Sequence, residues 1–304
     1  MKPKIIVIGS SNTDMVLKVP HIPAPGETIM GTDFLTIPGG KGANQAVAAA
    51  RAGAEVTFIA CVSDDAFGKQ AVENYRKEGI DTSFIKVQPG IHSGMALINV
   101  ADDGENSISV APGANSYLFP EDVHGFEYAF DGVKVVLAQL EIPMETVEAA
   151  AEIAHQKGIP FILNPAPGAT IPQTLLNKVT IITPNETEAA IITSRNDLSE
   201  KNIPEMANDI FDKGGTTVIL TLGSKGVYLK TFDFEGTISG YKVKAVDTTA
   251  AGDVFNGVLA AALAGGMDLK EAVDFAQRAA AISVTRMGAQ PSAPNLHEIR
   301  DYQF

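Results

Sequence analysis

Short runs of hydrophobic residues on consecutive positions alternate along this chain with Ala-rich stretches of helical period, and no other feature narrows the possible folds as much. The strand-like runs fall at residues 5–8, 56–61, 133–140, 161–163, 181–183 and 217–221. Helical patterns fall at 43–52, 66–78, 144–157, 187–193, 205–213, 252–263 and 269–285. A strand with one solvated face alternates apolar and polar residues, whereas a strand covered on both faces is apolar throughout. The pattern therefore predicts a parallel sheet covered by helices, an α/β doubly wound domain. A chain of 304 residues is long enough for one large domain with or without a small appendage. Its 45% hydrophobic content excludes wholesale disorder. No uninterrupted apolar run approaches the roughly 20 residues of a membrane span.

Two regions break the rhythm. Residues 13–37 alternate apolar and polar with turn signals at Pro23, Pro25-Gly26 and Gly31, and residues 92–112 read as a hairpin turning at Asp102-Asp103-Gly104-Glu105-Asn106. Together they form either a small separate sheet, placed as a lid over the ligand-binding ends of the main strands, or antiparallel edge strands of the main sheet. The pattern alone leaves both open.

The formal charge is −13, from 23 Lys and Arg against 36 Asp and Glu, with no basic cluster. Nucleic acid and anionic membrane are therefore not expected as partners, because a polymeric anion needs many cations side by side. A single nucleotide is not excluded, since a helix N-terminus and one metal ion can meet its charge without entering that count. The single Cys allows no internal disulfide and no zinc motif, and the apolar run near the N-terminus is too short for a signal peptide. A reducing cytoplasm is the expected location.

The P-loop, dinucleotide, serine-hydrolase and protein-kinase fingerprints are absent. What stands out is Asp247-Thr248-Thr249-Ala250-Ala251-Gly252-Asp253-Val254-Phe255-Asn256-Gly257, in which a strand-like run at 241–246 leads through small residues into an apolar helix. Free N–H groups at such a helix start attract an anion, and small residues let it approach. Asp253 in the first turn either complements the helix dipole or takes a proton from an attacking hydroxyl beside that anion. A second segment, Gly39-Gly40-Lys41-Gly42-Ala43-Asn44-Gln45-Ala46, reads as a glycine turn before a packed helix, or as a site where Lys41 and Asn44 donate to hydroxyls or charged oxygens. Asn12 and Asp14 follow the first strand and form either a polar turn or a grip on vicinal hydroxyls. In Thr183-Pro184-Asn185-Glu186-Thr187-Glu188, Asn185 and Glu188 form an N-cap with an acidic first turn, or serve phosphates through Mg²⁺ and its waters. Thr221-Leu222-Gly223-Ser224-Lys225-Gly226 is a plain hairpin turn or a cover for a nucleotide.

Taken together these segments resemble the ribokinase family of sugar kinases, and the resemblance runs from Gly9-Ser10-Ser11-Asn12-Thr13-Asp14 to Gly288-Ala289-Gln290-Pro291-Ser292. Leu140-Glu141-Ile142-Pro143 adds to it. The resemblance implies a single three-layer α/β/α sandwich over residues 1–304 with a small β-sheet lid drawn from about 13–37 and 92–112, and a homodimer formed through that lid. It implies ATP-dependent phosphorylation of D-ribose, with Asp253 as the base and Ala250, Ala251 and Gly252 as an anion hole. Sugar contacts are implied at Asn12, Thr13, Asp14, Gly40, Lys41, Gly42, Ala43, Asn44, Glu141 and Asp253. Nucleotide contacts are implied at Asn185, Thr221, Leu222, Gly223, Ser224, Lys225, Gly226, Gly252, Asp253 and Gln277, with Glu188 serving Mg²⁺ through water. An activating monovalent cation, K⁺, is implied at Asp247, Thr249, Ser283, Arg286, Gly288 and Ser292. Arg286 fits that set only if its carbonyl, rather than its guanidinium, faces the ion.

Overall fold

The computed structural model describes residues 2–304 apart from 196, 198, 215 and 216. Its strands are β1 (Lys4–Ile8), β2 (Asn12–Val19), β3 (Phe34–Gly39), β4 (Glu55–Ser63), β5 (Ile85–Gln88), β6 (Gly94–Ala101), β7 (Asn106–Ala111), β8 (Val135–Ala138), β9 (Phe161–Leu163), β10 (Ile181–Ile182), β11 (Val218–Thr221), β12 (Gly226–Lys230) and β13 (Glu235–Ser239). The helices are α1 (Lys41–Arg51), α2 (Ala66–Lys77), α3 (Pro120–Gly125), α4 (Met144–Gln156), α5 (Gln173–Leu176), α6 (Glu186–Thr193), α7 (Ile203–Asp212), α8 (Ala251–Ala264), α9 (Leu269–Ser283) and α10 (Leu296–Asp301).

Nine strands form one sheet in the order β13-β12-β11-β10-β9-β8-β1-β4-β5. From β11 to β5 all pairs are parallel, and only β12 runs in the opposite direction, pairing antiparallel with both β11 and the edge strand β13. The consecutive apolar residues of β1 show why: Ile6 and Ile8 pack into a core with α4, α6 and α7, while Ile5 and Val7 pack into a second core with α1, α8 and α9. Both faces are dry, as the apolar pattern requires.

The two irregular regions form a separate four-stranded sheet, β3-β2-β6-β7, and are not edge strands of the main one. The run at 241–246 is a correction: it forms no strand. Its alternating apolar residues find no neighbouring strand, and the N–H groups of Val246 and Asp247 bond instead to the Val284 carbonyl at the end of α9.

Candidate active site

The C-terminal ends of β9, β10 and β11 and the N-termini of α1, α6 and α8 surround one cavity of about 210 Å³. Lys41, Asn185, Glu188, Thr221, Ala250, Ala251, Gly252 and Asp253 line it, together with Asn164, Thr183 and Asn256. At its floor Asp253 is buried, with Oδ2 accepting from Asn44 Nδ2 and Oδ1 from Gln45 Nε2, each at 2.9 Å. Burial raises its pKa; Lys41, Asn44 and Gln45 act in the opposite direction. The helix it belongs to starts from Ala250, held at φ 59 and ψ 14, a left-handed conformation that a non-glycine residue adopts only where its surroundings enforce it. No side chain caps this start.

The glycine segment places α1. Gly40 has φ 89, and a Cβ there would meet Asn12 N at 2.6 Å, so only glycine lets the chain turn this close to the end of β1. Lys41 then begins α1 with its N–H on Glu141 Oε2 at 3.0 Å, and the same oxygen accepts from Ser10 Oγ at 2.5 Å. Burial disfavours the Lys41 charge, but Asp253, Glu141, Glu188 and Asp14 outweigh it and hold its pKa above the ordinary value. Asp14 is pushed up to about 6, first by burial and then by Glu141 and Asp253. Asn12 is fixed by Asn115, whose Nδ2 donates to Asn12 Oδ1 at 2.7 Å, and Thr13 is buried beside it. Gly42 and Ala43 are buried in the first turn of α1.

Asn185 and Glu188 form a full capping box: Asn185 Oδ1 accepts from Glu188 N at 2.8 Å, and Glu188 Oε2 from Asn185 N at 2.9 Å. Both also line the cavity, where burial pushes the Glu188 carboxyl up. Among the described residues no cluster of three or more His, Cys, Asp or Glu forms a metal cage. Glu188 is a carboxylate lining the cavity that a hydrated Mg²⁺ arriving with a nucleotide could face.

Of the hairpin residues, Thr221 reaches the cavity and bridges to Asn185, whereas Leu222 is buried. Gly223, Ser224 and Lys225 form an exposed turn into Gly226, with Lys225 Nζ on Glu200 at 2.5 Å. Gln277 is buried in α9, outside the cavity lining, and neither polar atom of its amide has a partner among the described residues. The implied cation residues are partly gathered. Asp247 accepts from Thr249 N at 2.9 Å and Gly288 N at 2.8 Å; burial opposes its charge, but these donors hold its pKa low. The Arg286 guanidinium is turned to Glu298 at 2.6 Å, which leaves only its carbonyl for an ion, and the Arg286 N–H donates to the Ser283 carbonyl. Ser292 is fully buried with its hydroxyl on the Ala289 carbonyl. Within this set Asp247, its pKa held low, offers a carboxylate oxygen of the kind a hard cation takes.

Residue motifs alone did not single out Gln45, Asn115, Gln139, Asn164 or Asn256. Gln139 and Asn164 were visible only as lone polar residues at the ends of apolar strands.

A buried carboxylate beside an uncapped helix N-terminus is an arrangement that can take a proton from a hydroxyl next to a bound anion, as an α/β enzyme of phosphoryl transfer to an alcohol requires. Residues 2–296 match the model of the pfkB family carbohydrate kinases, and the chain belongs to that family. It is 45% identical to a ribokinase of Haemophilus influenzae over 99% of both chains, and 36% identical to a deoxyribokinase of Salmonella typhimurium over 98% of both. The structure of Arabidopsis thaliana ribokinase complexed with ribose and ATP superposes with a TM-score of 0.92 at 31% identity, covering 99% of this chain and 98% of that one. The large mixed sheet flanked by helices, with its smaller second sheet, is the ribokinase-like fold.

Proposed function

We propose that this chain transfers the γ-phosphoryl group of ATP to O5 of D-ribose, giving ribose 5-phosphate and ADP. The observation that carries the reading is the buried Asp253 carboxylate in the first turn of the uncapped α8. In the reaction the 5-hydroxyl gives its proton to Asp253 as its oxygen bonds to phosphorus, and the bond to the ADP oxygen breaks. The first-turn N–H groups at Ala250, Ala251 and Gly252 stabilise the charge on the transferring group. Asn12, Thr13, Asp14, the segment Gly40 to Asn44 and Glu141 hold the sugar, so that its hydroxyl is aligned before transfer. Asn185, Thr221 to Gly226 and Gln277 hold the nucleotide. When bound, Mg²⁺ would neutralise phosphate charge from waters on Glu188, and K⁺ among Asp247, Thr249, Ser283, Gly288, Ser292 and the Arg286 carbonyl would add a fixed positive charge. Identities of 39–45% to four ribokinases, against 36% to a deoxyribokinase and 35% to a further ribokinase, lean toward ribose as the acceptor.

The small sheet acts as the lid of the site, since Asn12 and Asp14 lie on β2. On one face of that sheet, register aligns Leu35, Val16, Ile98 and Ile108 in a row, with Val110 one row away, and Leu35, Ile108 and Val110 are about half exposed. A second copy of this chain covers that face in a homodimer. Among the described residues no helix is long and apolar enough to cross a membrane, and Cys61 is buried and unpaired. Both facts accord with a cytoplasmic enzyme.

Asp253→Asn tests the reading. Turnover falls at least about 100-fold while calorimetry shows ribose still bound. Near-normal turnover would refute Asp253 as the base.

A further inference from the structure

The buried amides beside Asp253 form a chain whose direction is set at one end. The Thr183 main-chain carbonyl can only accept, and Asn164 Nδ2 donates to it at 3.2 Å. That contact turns Asn164 Oδ1 toward Gln45, whose Nε2 donates to it at 2.9 Å. The same Nε2 donates to Asp253 Oδ1 at 2.9 Å. Gln45 Oε1 is thereby left for Gln139, whose Nε2 donates to it at 2.6 Å. At the far end the buried Gln139 Oε1 has no partner among the described residues, and a Cβ on Gly9 would lie 2.1 Å from it. A main-chain acceptor at one end and an unsatisfied carbonyl at the other are what a chain oriented from Thr183 produces. Gln45 and Gln139 are fully buried, so water does not compete for these contacts. A parallel tie joins the same strand end to α8: Thr183 Oγ1 donates to Asn256 Oδ1 at 2.6 Å, and Asn256 Nδ2 donates to the Gly252 carbonyl at 2.8 Å.

We propose that Gln45, locked in one orientation by Asn164 and Gln139, is a positioning residue that presents a fixed N–H to the Asp253 carboxylate and keeps it ionised. The proposal rests on Asp253 being the base. Hydrogen bonding to a carboxylate favours its charged form, whereas a flipped Gln45 would set one acceptor against another. The other groups acting on Asp253 are already committed. Burial raises its pKa, Lys41 and Asn44 lower it, and Glu141 raises it again. Asp14 and Glu188 are the remaining carboxylates within its field.

Gln45→Met and Gln139→Met keep the side-chain volume and remove the amide. The base works as a carboxylate, and losing a donor raises its pKa. The acid limb of the kcat/KM profile for ribose therefore moves to higher pH, by about one unit for Gln45→Met. The tenfold loss at low pH recovers as pH rises, with KM at high pH close to that of the parent enzyme. Gln139→Met moves the limb the same way by less, and it carries the test if Gln45→Met folds poorly, because Gln45 itself stays in place. A purely structural role would lower melting temperature and depress turnover equally at every pH. An unmoved acid limb in either folded variant overturns the proposal. Asp253→Asn separates the two possible failures: if it keeps turnover, the base is wrong; if it loses turnover while the Met variants keep their limbs, only the role of Gln45 is wrong.

Discussion

Three helices begin at the cavity, and their first turns are satisfied in different ways. α6 is closed by its own residues, through the reciprocal contacts of Asn185 and Glu188. α1 is closed by neighbouring segments, with Lys41 N on Glu141, and Gly42 N on Ser10 Oγ at 3.3 Å. α8 has no side-chain cap and starts from a strained Ala250. Protein groups thus take the N–H groups of Asn185 and Glu188 at α6 and of Lys41 and Gly42 at α1, whereas at α8 no side chain takes a first-turn N–H and the positive dipole end lies beside a buried carboxylate. Capping therefore sets α8, the start we propose acts on the substrate, apart from the other two.

Gly252→Ala attacks that distinction most strongly. A Cβ at Gly252 meets nothing within 4 Å, so the fold does not need glycine there. Alanine should stabilise the helix by about 0.5–1 kcal/mol, yet obstruct an anion lying over the first turn. The expected outcome is an unchanged or higher melting temperature with turnover at least about tenfold lower; unchanged turnover would show that nothing binds at the open start. Next, Lys41→Met removes the cation among four carboxylates. Steady-state kinetics should show the KM for ribose rising several-fold, with the acid limb moving to higher pH because Lys41 no longer favours ionised Asp253. An unchanged KM would place Lys41 outside the sugar contacts. Glu188→Gln sharpens the comparison by a smaller effect. Glutamine can also close a capping box, so thermal stability should hold while the Mg²⁺ concentration for half-maximal rate rises a few-fold. An unmoved Mg²⁺ requirement would leave Glu188 a cap alone. The smallest effect on chemistry is expected from Ile108→Asp on the exposed face of the small sheet, which should shift sedimentation from dimer to monomer.

The core strands were legible because burial on both faces leaves a continuous apolar signature, as in β1 and β9. β5, β12 and β13 were missed: β5 alternates Ile85 and Val87 with Lys86 and Gln88 instead of running apolar throughout, and β12 and β13 form an antiparallel edge whose pattern mixes Gly, Lys and Thr with apolar residues. The misread run at 241–246 has strand-like alternation, but alternation records which residues prefer burial and not whether a neighbouring strand exists. The segments around Lys41 and Asp253 were legible because each places glycine or small residues just before a helix. The amide chain was not. Gln139 lies 94 residues from Gln45, and Asn164 lies 119 away, so only the folded sheet brings them together.

The central claim, phosphorylation of ribose, is tested most directly by ADP release across a panel of D-ribose, 2-deoxyribose, fructose, 2-keto-3-deoxygluconate and nucleosides, with and without K⁺. The account requires ribose to be clearly preferred at saturating ATP and Mg²⁺, with faster release when K⁺ is present. A stronger preference for another acceptor, or calorimetric binding of ribose without ADP release, would contradict it.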